Sequence, residues 1–305
     1  MPNQTIQFVP PNMRIGTKSA SMLPLLGCLA RFEEVVGENP VWRAANDMQT
    51  RFLAEVFATG RADVDAMPEH QLRSIASKSV EVINAFLAEQ GFDIRLEEFQ
   101  DENSVGLASV LRVPVKWKDP GRKIPLGTPE GNFPGVSMKR GVLVLNGSNY
   151  PNPILQLATE SGESVFMTIA TEPLEGLDLL ARIRALGELT TNYDFKGAEF
   201  PMIDLNQQVE ISWMEGLWIP AENPLQQWFI RQAVQQNKFR MNHLGAITES
   251  AAAMEGALRS ISIPKPPCRI DRPFFLWKTK PGITQPIFTA YLEPDCWKDP
   301  GDLPL

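Results

Sequence analysis

The feature that most limits what this chain can fold into is a change of period at Gly91. Before it, apolar residues recur three and four apart, the spacing of one helix face. After it they alternate or form short runs bounded by Gly, Pro and Asn, the pattern of strands and turns. Helices first and strands afterwards predict an α+β chain with sizeable antiparallel sheets.

On the helical side, residues 19–32 carry Met22, Leu25, Leu26 and Leu29, with Pro24 in the first turns. Residues 47–58 carry Phe52, Val56 and Phe57. Residues 69–90 read as the longest helix, with Leu72, Ile75, Ala76, Val80, Ile83 and Leu87 on one face and Gly91 as its stop. Strands are expected at 110–115, where Pro114 points to an edge, and at 141–145, 154–157 and 165–169. A helix over 174–186 closes at Gly187. Further strands follow at 199–205, 209–213, 237–241, 274–278 and 286–292. The Gly- and Pro-rich stretch 119–134 reads as a long loop. With no internal repeat and no linker, residues 1–305 are expected to form one domain, mainly helical over 1–104 and mainly sheet over 105–305.

Composition then removes whole classes of function. The net charge of −7 and the lack of any basic run argue against a nucleic-acid partner. No apolar stretch reaches the roughly 18 residues of a membrane span. The start, Met1-Pro2-Asn3-Gln4-Thr5, lacks a basic, then apolar, secretory leader. Three cysteines, Cys28, Cys268 and Cys296, are odd in number and widely spaced, so neither a disulfide framework nor a metal site is expected. These points together suit a cytoplasmic protein, with secretion left open if a leader has been removed. The only histidines are His70 and His243, which disfavours acid–base or triad chemistry. Nucleotide, metalloprotease and serine-hydrolase motifs are absent, and no cofactor is expected. The adjacent acids Glu33-Glu34 and Glu97-Glu98 diverge on any regular element and read as solvated charge. Asp63 and Asp65 could share a cation but read better as a polar loop.

One segment stands out, residues 243–271, a long connection between strand-like sequences. Taken with period two, Glu249, Glu255 and Arg259 share one face. The other face, Thr248, Ser250, Ala252, Met254, Gly256, Leu258 and Ser260, carries no charge. Such a segment could enter a sheet with its small face buried. Taken alone, the residues favour a helix over an inserting strand: Thr248 or Ser250 can cap it, Met254, Leu258 and Ile261 recur at helical spacing, and Glu255 and Arg259 form an i,i+4 pair, and an exposed loop can be helical before it inserts.

The run 233–242, then Gly245, then Thr248-Glu249-Ser250-Ala251-Ala252-Ala253, resembles the strand and hinge that lead into the reactive-centre loop of serpins. Asp271-Arg272-Pro273-Phe274-Phe275-Leu276 and the run 286–294 resemble the serpin C-terminal strand pair, and the interval from Gly245 to Asp271 suits a serpin loop. The order of strands and helix from 142 to 211 is similar as well, and residues 13–30 resemble a buried serpin helix. The chain departs from the pattern in being short between residues 32 and 110, where several helices and a strand are expected. His243-Leu244 replaces an acidic pair, and Ala246 and Ile247 are extra.

The resemblance implies a monomeric protease inhibitor that is not itself an enzyme, whose partner is a serine or cysteine protease. The protease cleaves a loop at 245–270, becomes acylated, and is trapped as the cut loop inserts into a sheet. The hinge is Gly245 with residues 248–253. The reactive bond falls at Ile261-Ser262, with Arg259-Ser260 as the alternative register. A non-inhibitory serpin-like binding or scaffold protein is the competing expectation, and an α+β enzyme with a scattered site the third.

Overall fold

The computed structural model describes residues 6–37, 41–99, 105–221, 227–246 and 265–303. Strand β1 (Lys18–Ala20) leads into helix α1 (Met22–Val36). Leu23, Leu26 and Leu29 of α1 are fully buried at helical spacing. Gly27 lets α1 lie against the strands beneath it, since a Cβ there would stand 2.6 Å from Ser74 Oγ and 2.7 Å from Ser109 Oγ. Helix α2 (Asp47–Phe52) is capped by the Asn46 side chain and runs through a π turn into α3 (Ala58–Ala66).

The expected helix over 69–90 divides. Its first half is β2 (Leu72–Ser77), and only α4 (Val80–Glu89) is helical. Leu72, Ile75 and Ala76 satisfy a helical period, yet β2 pairs residue by residue with β3 (Gly106–Leu111). Ser79 then opens a new helix by accepting the Val82 N–H. Strand β4 (Val115–Lys116) follows, so the strand expected over 110–115 is interrupted before Pro114.

The stretch 119–134 is largely a hairpin rather than a loop, built from β5 (Arg122–Thr128) and β6 (Gly131–Met138). Pro125 and Pro134 stand directly opposite each other. Neither has an N–H to give, which suits a pair that exchanges no hydrogen bonds, and the Pro134 carbonyl turns away to accept Met202 N–H.

Strands β7 (Val142–Gly147), β8 (Ile154–Ala158) and β9 (Ser164–Ile169) form a meander. Helix α5 (Gly176–Arg184) and β10 (Leu189–Thr191) come next, then β11 (Ala198–Pro201) and β12 (Ile203–Glu210). After β13 (Trp218–Pro220) and β14 (Gln227–Phe229) comes the long β15 (Val234–Met241). Two-residue strands β16 (Gly245–Ala246) and β17 (Cys268–Arg269) precede the C-terminal pair β18 (Phe274–Thr279) and β19 (Phe288–Leu292).

Seven strands make one antiparallel sheet in the order β1-β19-β18-β9-β8-β7-β10. A second sheet runs β17-β11-β6-β5, with only β17 against β11 parallel. The main core lies between them, around Trp117, Phe200, Phe274, Leu276 and Trp297. The architecture is α+β with large antiparallel sheets, as expected.

Candidate functional site

Four strand pairs stand apart from these sheets, and two of them matter here: among the described residues β3 pairs with β2 alone, and β15 with β12 alone. Their free edges border one cavity of about 790 Å³, lined by residues 107–115 on one side and 234–240 on the other. Its floor is α1, through Ser21, Pro24, Leu25 and Cys28. Each edge therefore carries backbone N–H and C=O groups with no strand partner, which is where another strand can add.

Odd-numbered residues of both strands face inwards, those of β3 onto α1 and those of β15 onto β1 and the start of α1. Gln235 Nε2 donates to the Ser21 carbonyl at 2.7 Å and Asn237 Nδ2 to Ser19 Oγ at 3.1 Å. On β3, Ser109 bonds Ser74 beneath Gly27, while Leu107 and Leu111 pack on the α1 cluster. Even-numbered residues face outwards. Ala108 and Val110 meet Ile83 and Leu87 of α4. Gln236 Oε1 accepts the N–H groups of Asp93 (2.9 Å) and Ile94 (3.3 Å), and Lys238 Nζ donates to the Gly91 carbonyl at 2.6 Å. Residues 91–99 thus form a strap from α4, anchored there by Asn84 and Leu96, across the outer face to β15.

At the top of this seam the chain reverses. Asn242 N–H donates to the Gly245 carbonyl at 3.0 Å, and Leu244 N–H to Asn242 Oδ1 at 2.9 Å. Gly245 and Ala246 then pair antiparallel with Lys116 and Val115 of β4. Gly245 has φ +121°, and a Cβ there would stand 2.7 Å from Trp117 N and 3.0 Å from Lys116 Cα, so only glycine fits. The pair Gly245–Ala246 thus lies antiparallel both to β4 and to Asn242 at the end of β15, at the upper end of the seam. His243, on the turn, has a buried Nδ1 without a hydrogen-bond partner. Burial, and then Lys123, hold its imidazole below the usual range, against the pull of Asp299 and Asp302.

Of the hinge residues read from sequence, the structure places Gly245 against β4. Thr248, Glu249, Ser250, Ala251, Ala252 and Ala253 lie outside the described residues, as do Arg259, Ser260, Ile261 and Ser262. Two readings of acidic residues are corrected. Glu33 is buried, accepting from Trp42 Nε1 at 2.9 Å and pairing with Arg61 at 2.7 Å. Asp63 sits in α3, not in a loop, and accepts the N–H groups of Thr284 and Gln285 at 2.8 Å each. Among the described residues no group of His, Cys, Asp and Glu could hold a metal ion. No helix among them is long and apolar enough to cross a membrane.

Two residues of the seam carried no sequence signal. Cys28 faces the cavity from α1, and burial pushes its thiol up to about 12. Lys278 follows four buried apolar residues of β18, is itself 4% exposed, and donates through Nζ to the Val113 carbonyl. Burial brings its amine down to about 7, with Glu163 opposing and Lys280 reinforcing the shift. The apolar run around it signals a buried strand, but nothing in the run marks one position as a buried cation.

No family model matches the chain, and no curated protein matches it by sequence. Its structure is similar to solved serpins. Serpin48 of the insect Tenebrio molitor, described as highly specific, is 13% identical with a TM-score of 0.55 over 92% of each chain. Human glycosylated kallistatin is 13% identical with a TM-score of 0.53 over 90% of each chain. The mouse protein-Z dependent protease inhibitor is 14% identical with a TM-score of 0.53, over 92% of this chain and 91% of its own. The fold is serpin-like.

Proposed function

We propose that this chain is a serpin-type protease inhibitor that offers the segment after Ala246 as bait. The observation that carries the reading is the half-open seam, with Gly245 and Ala246 already entering its upper end.

Two independent registers support it. Continued along β3, the pairing of Gly245 with Lys116 would set Ser250 opposite Leu111 and Ala252 opposite Ser109. Continued along β15, the pairing of Asn242 with Gly245 would set Ser250 opposite Asn237 and Ala252 opposite Gln235. Cross-strand neighbours share a face, and all four of these partners face inwards, towards β1 and α1. Both edges thus send the uncharged face of the segment inwards and leave Glu249 outside, between Arg112 and Lys238.

The chain supplies no nucleophile in this mechanism. A protease serine or cysteine attacks the carbonyl of Ile261 (Arg259 in the alternative register), releases the amine of the next residue and stays bound as an acyl-enzyme. The freed segment then adds to the seam as a strand. Each inserted residue brings one N–H and one C=O, so nine residues between the two edges would gain up to about eighteen backbone hydrogen bonds at about 1 kcal/mol each. That is comparable to the whole stability of many domains, about 5–15 kcal/mol, and would be enough to deform a tethered protease.

The test is incubation with elastase-, subtilisin- and trypsin-type proteases. We expect a complex that survives a denaturing gel, cleavage after Ile261, and a higher melting temperature for cleaved than for intact protein. Cleavage with neither a complex nor a rise in melting temperature would support the second reading, a non-inhibitory serpin-like protein. One observation favours that reading: the strand breaks at residues 112–114, where Pro114 has no N–H and Lys278 holds the Val113 carbonyl.

A further inference from the structure

The cavity beneath the seam has a chemical asymmetry that strand insertion does not use. Its walls are mainly apolar, including Leu25, Ile94, Leu107, Ile287 and Phe288. Its volume of about 790 Å³ lies in the range of small-molecule sites. Yet Lys278 also lines it.

An ammonium has three donors, and among the described residues Lys278 Nζ uses one, on the Val113 carbonyl. The nearby carboxylate of Glu163 is engaged by Lys280 Nζ at 3.0 Å and by the Ser161 hydroxyl. The other cations of the lining are already held: Arg112 by the Gln90 carbonyl, Lys238 by Asp93 and the Gly91 carbonyl, and Arg240 by Asp204 and the Pro300 carbonyl. Among the described residues Lys278 is therefore a buried cation with no carboxylate in hydrogen-bond contact, an arrangement that costs several kcal/mol in typical proteins and that an anion relieves.

We propose that this cavity binds an aliphatic carboxylate, its head group on Lys278 Nζ and its chain along the α1 wall towards Cys28. An inserting strand brings only neutral carbonyls to Lys278, so a preference for anions belongs to this site and does not rest on the inhibitor reading. The step is non-covalent: the ammonium keeps its protons and donates to the carboxylate.

Cys28 reports occupancy without any substitution, because a chain along α1 covers its sulfur. The experiment is labelling of the intact protein with an organomercurial, which takes a protonated thiol, below neutral pH where Lys278 is charged, located by mass spectrometry, against rising decanoate or decanol. A charge-assisted hydrogen bond should let decanoate protect Cys28 at about tenfold lower concentration than decanol. Lys278→Met should erase that difference, and Lys278→Arg should keep it. Equal protection by both compounds, a decanoate advantage that persists in Lys278→Met, or no protection by either would each overturn the proposal. Should Lys278→Met fail to fold, the comparison of the two compounds on the unaltered protein still decides. No protease enters the experiment, so its failure leaves the inhibitor reading standing, and the reverse holds.

Discussion

The seven-stranded sheet and the seam are built from the same antiparallel chemistry and finished differently. In the first, β18 is paired on both sides, and Phe274, Phe275 and Leu276 are completely buried. In the second, β3 and β15 each stop at one partner and leave an edge over a cavity. A paired edge spends its hydrogen bonds on stability, whereas a free edge keeps them for later use. The fold thus separates a sheet whose central strands are paired on both sides from a seam whose edges, among the described residues, are open.

The largest effect should come from breaking the closed side. Leu276→Ala should lower the unfolding free energy by about 3 kcal/mol, as truncation in a packed core does. Leu25→Ala, beside a cavity that already exists, should cost only about 1 kcal/mol, since fewer contacts are lost. Urea denaturation of both variants measures the contrast, and equal losses would mean that the seam is packed as tightly as the sheet.

Next is Gly245→Val, which forces a branched side chain into a positive φ against β4. A loss of about 2 kcal/mol is expected from backbone strain, together with loss of any protease complex. Wild-type stability in this variant would show that the pairing with β4 is not maintained in solution.

The third effect tests which face turns inwards. Ser250→Arg should shift the outcome from complex to cleaved product by about tenfold, because the new charge meets α1. Ala251→Arg, on the outward face, should shift it less. Ala252→Pro should act like Ser250→Arg by removing a ladder hydrogen bond. If the two arginine variants partition alike on a denaturing gel, the registers read from Gly245 are wrong.

The smallest effect is a slope with pH. The Lys278 amine lies near 7 when folded, against an ordinary value of 10.5. Between those values the unfolded chain holds a proton that the folded chain lacks, so stability rises with pH across the window. Below about 7 both states are protonated and the contribution is constant. Lys278→Met should flatten the rise between pH 7 and 10, measured as urea midpoints. An unchanged slope would show that the amine is not buried in solution.

What the sequence revealed follows the same division. Helices α1 and α5 and strands β8, β9 and β18 announce themselves because burial imposes a period on their own residues. Leu72, Ile75 and Ala76 misled because a helix and a strand both satisfy their spacing, and the partner that decides, β3, lies far along the chain. The β5–β6 hairpin was hidden by Pro125 and Pro134, which deny a strand unless they face each other. Gly245 stood out in the sequence, and its φ of +121° against β4 is the kind of backbone need that glycine marks. The seam was not, since it consists of pairings that are missing, and no residue encodes the absence of a neighbour. Lys278 was invisible for a related reason: its burial depends on the three-dimensional surroundings of β18 and not on the residues beside it.

The strap over residues 91–99 has a kinetic consequence. With α1 below and the strap above, the seam is a covered slot, and its upper end is where Gly245 enters. A strand that enters at that end must advance one residue pair at a time, as a bolt enters its keeper. Tethering fixes which strand does so. A segment joined through a short reversal meets the slot at a local concentration in the millimolar range, so a free peptide of equal affinity loses the race at any ordinary dose. If the segment after Ala246 inserts as proposed, the strap would make order of entry, more than strength of binding, the property that selects what fills the slot.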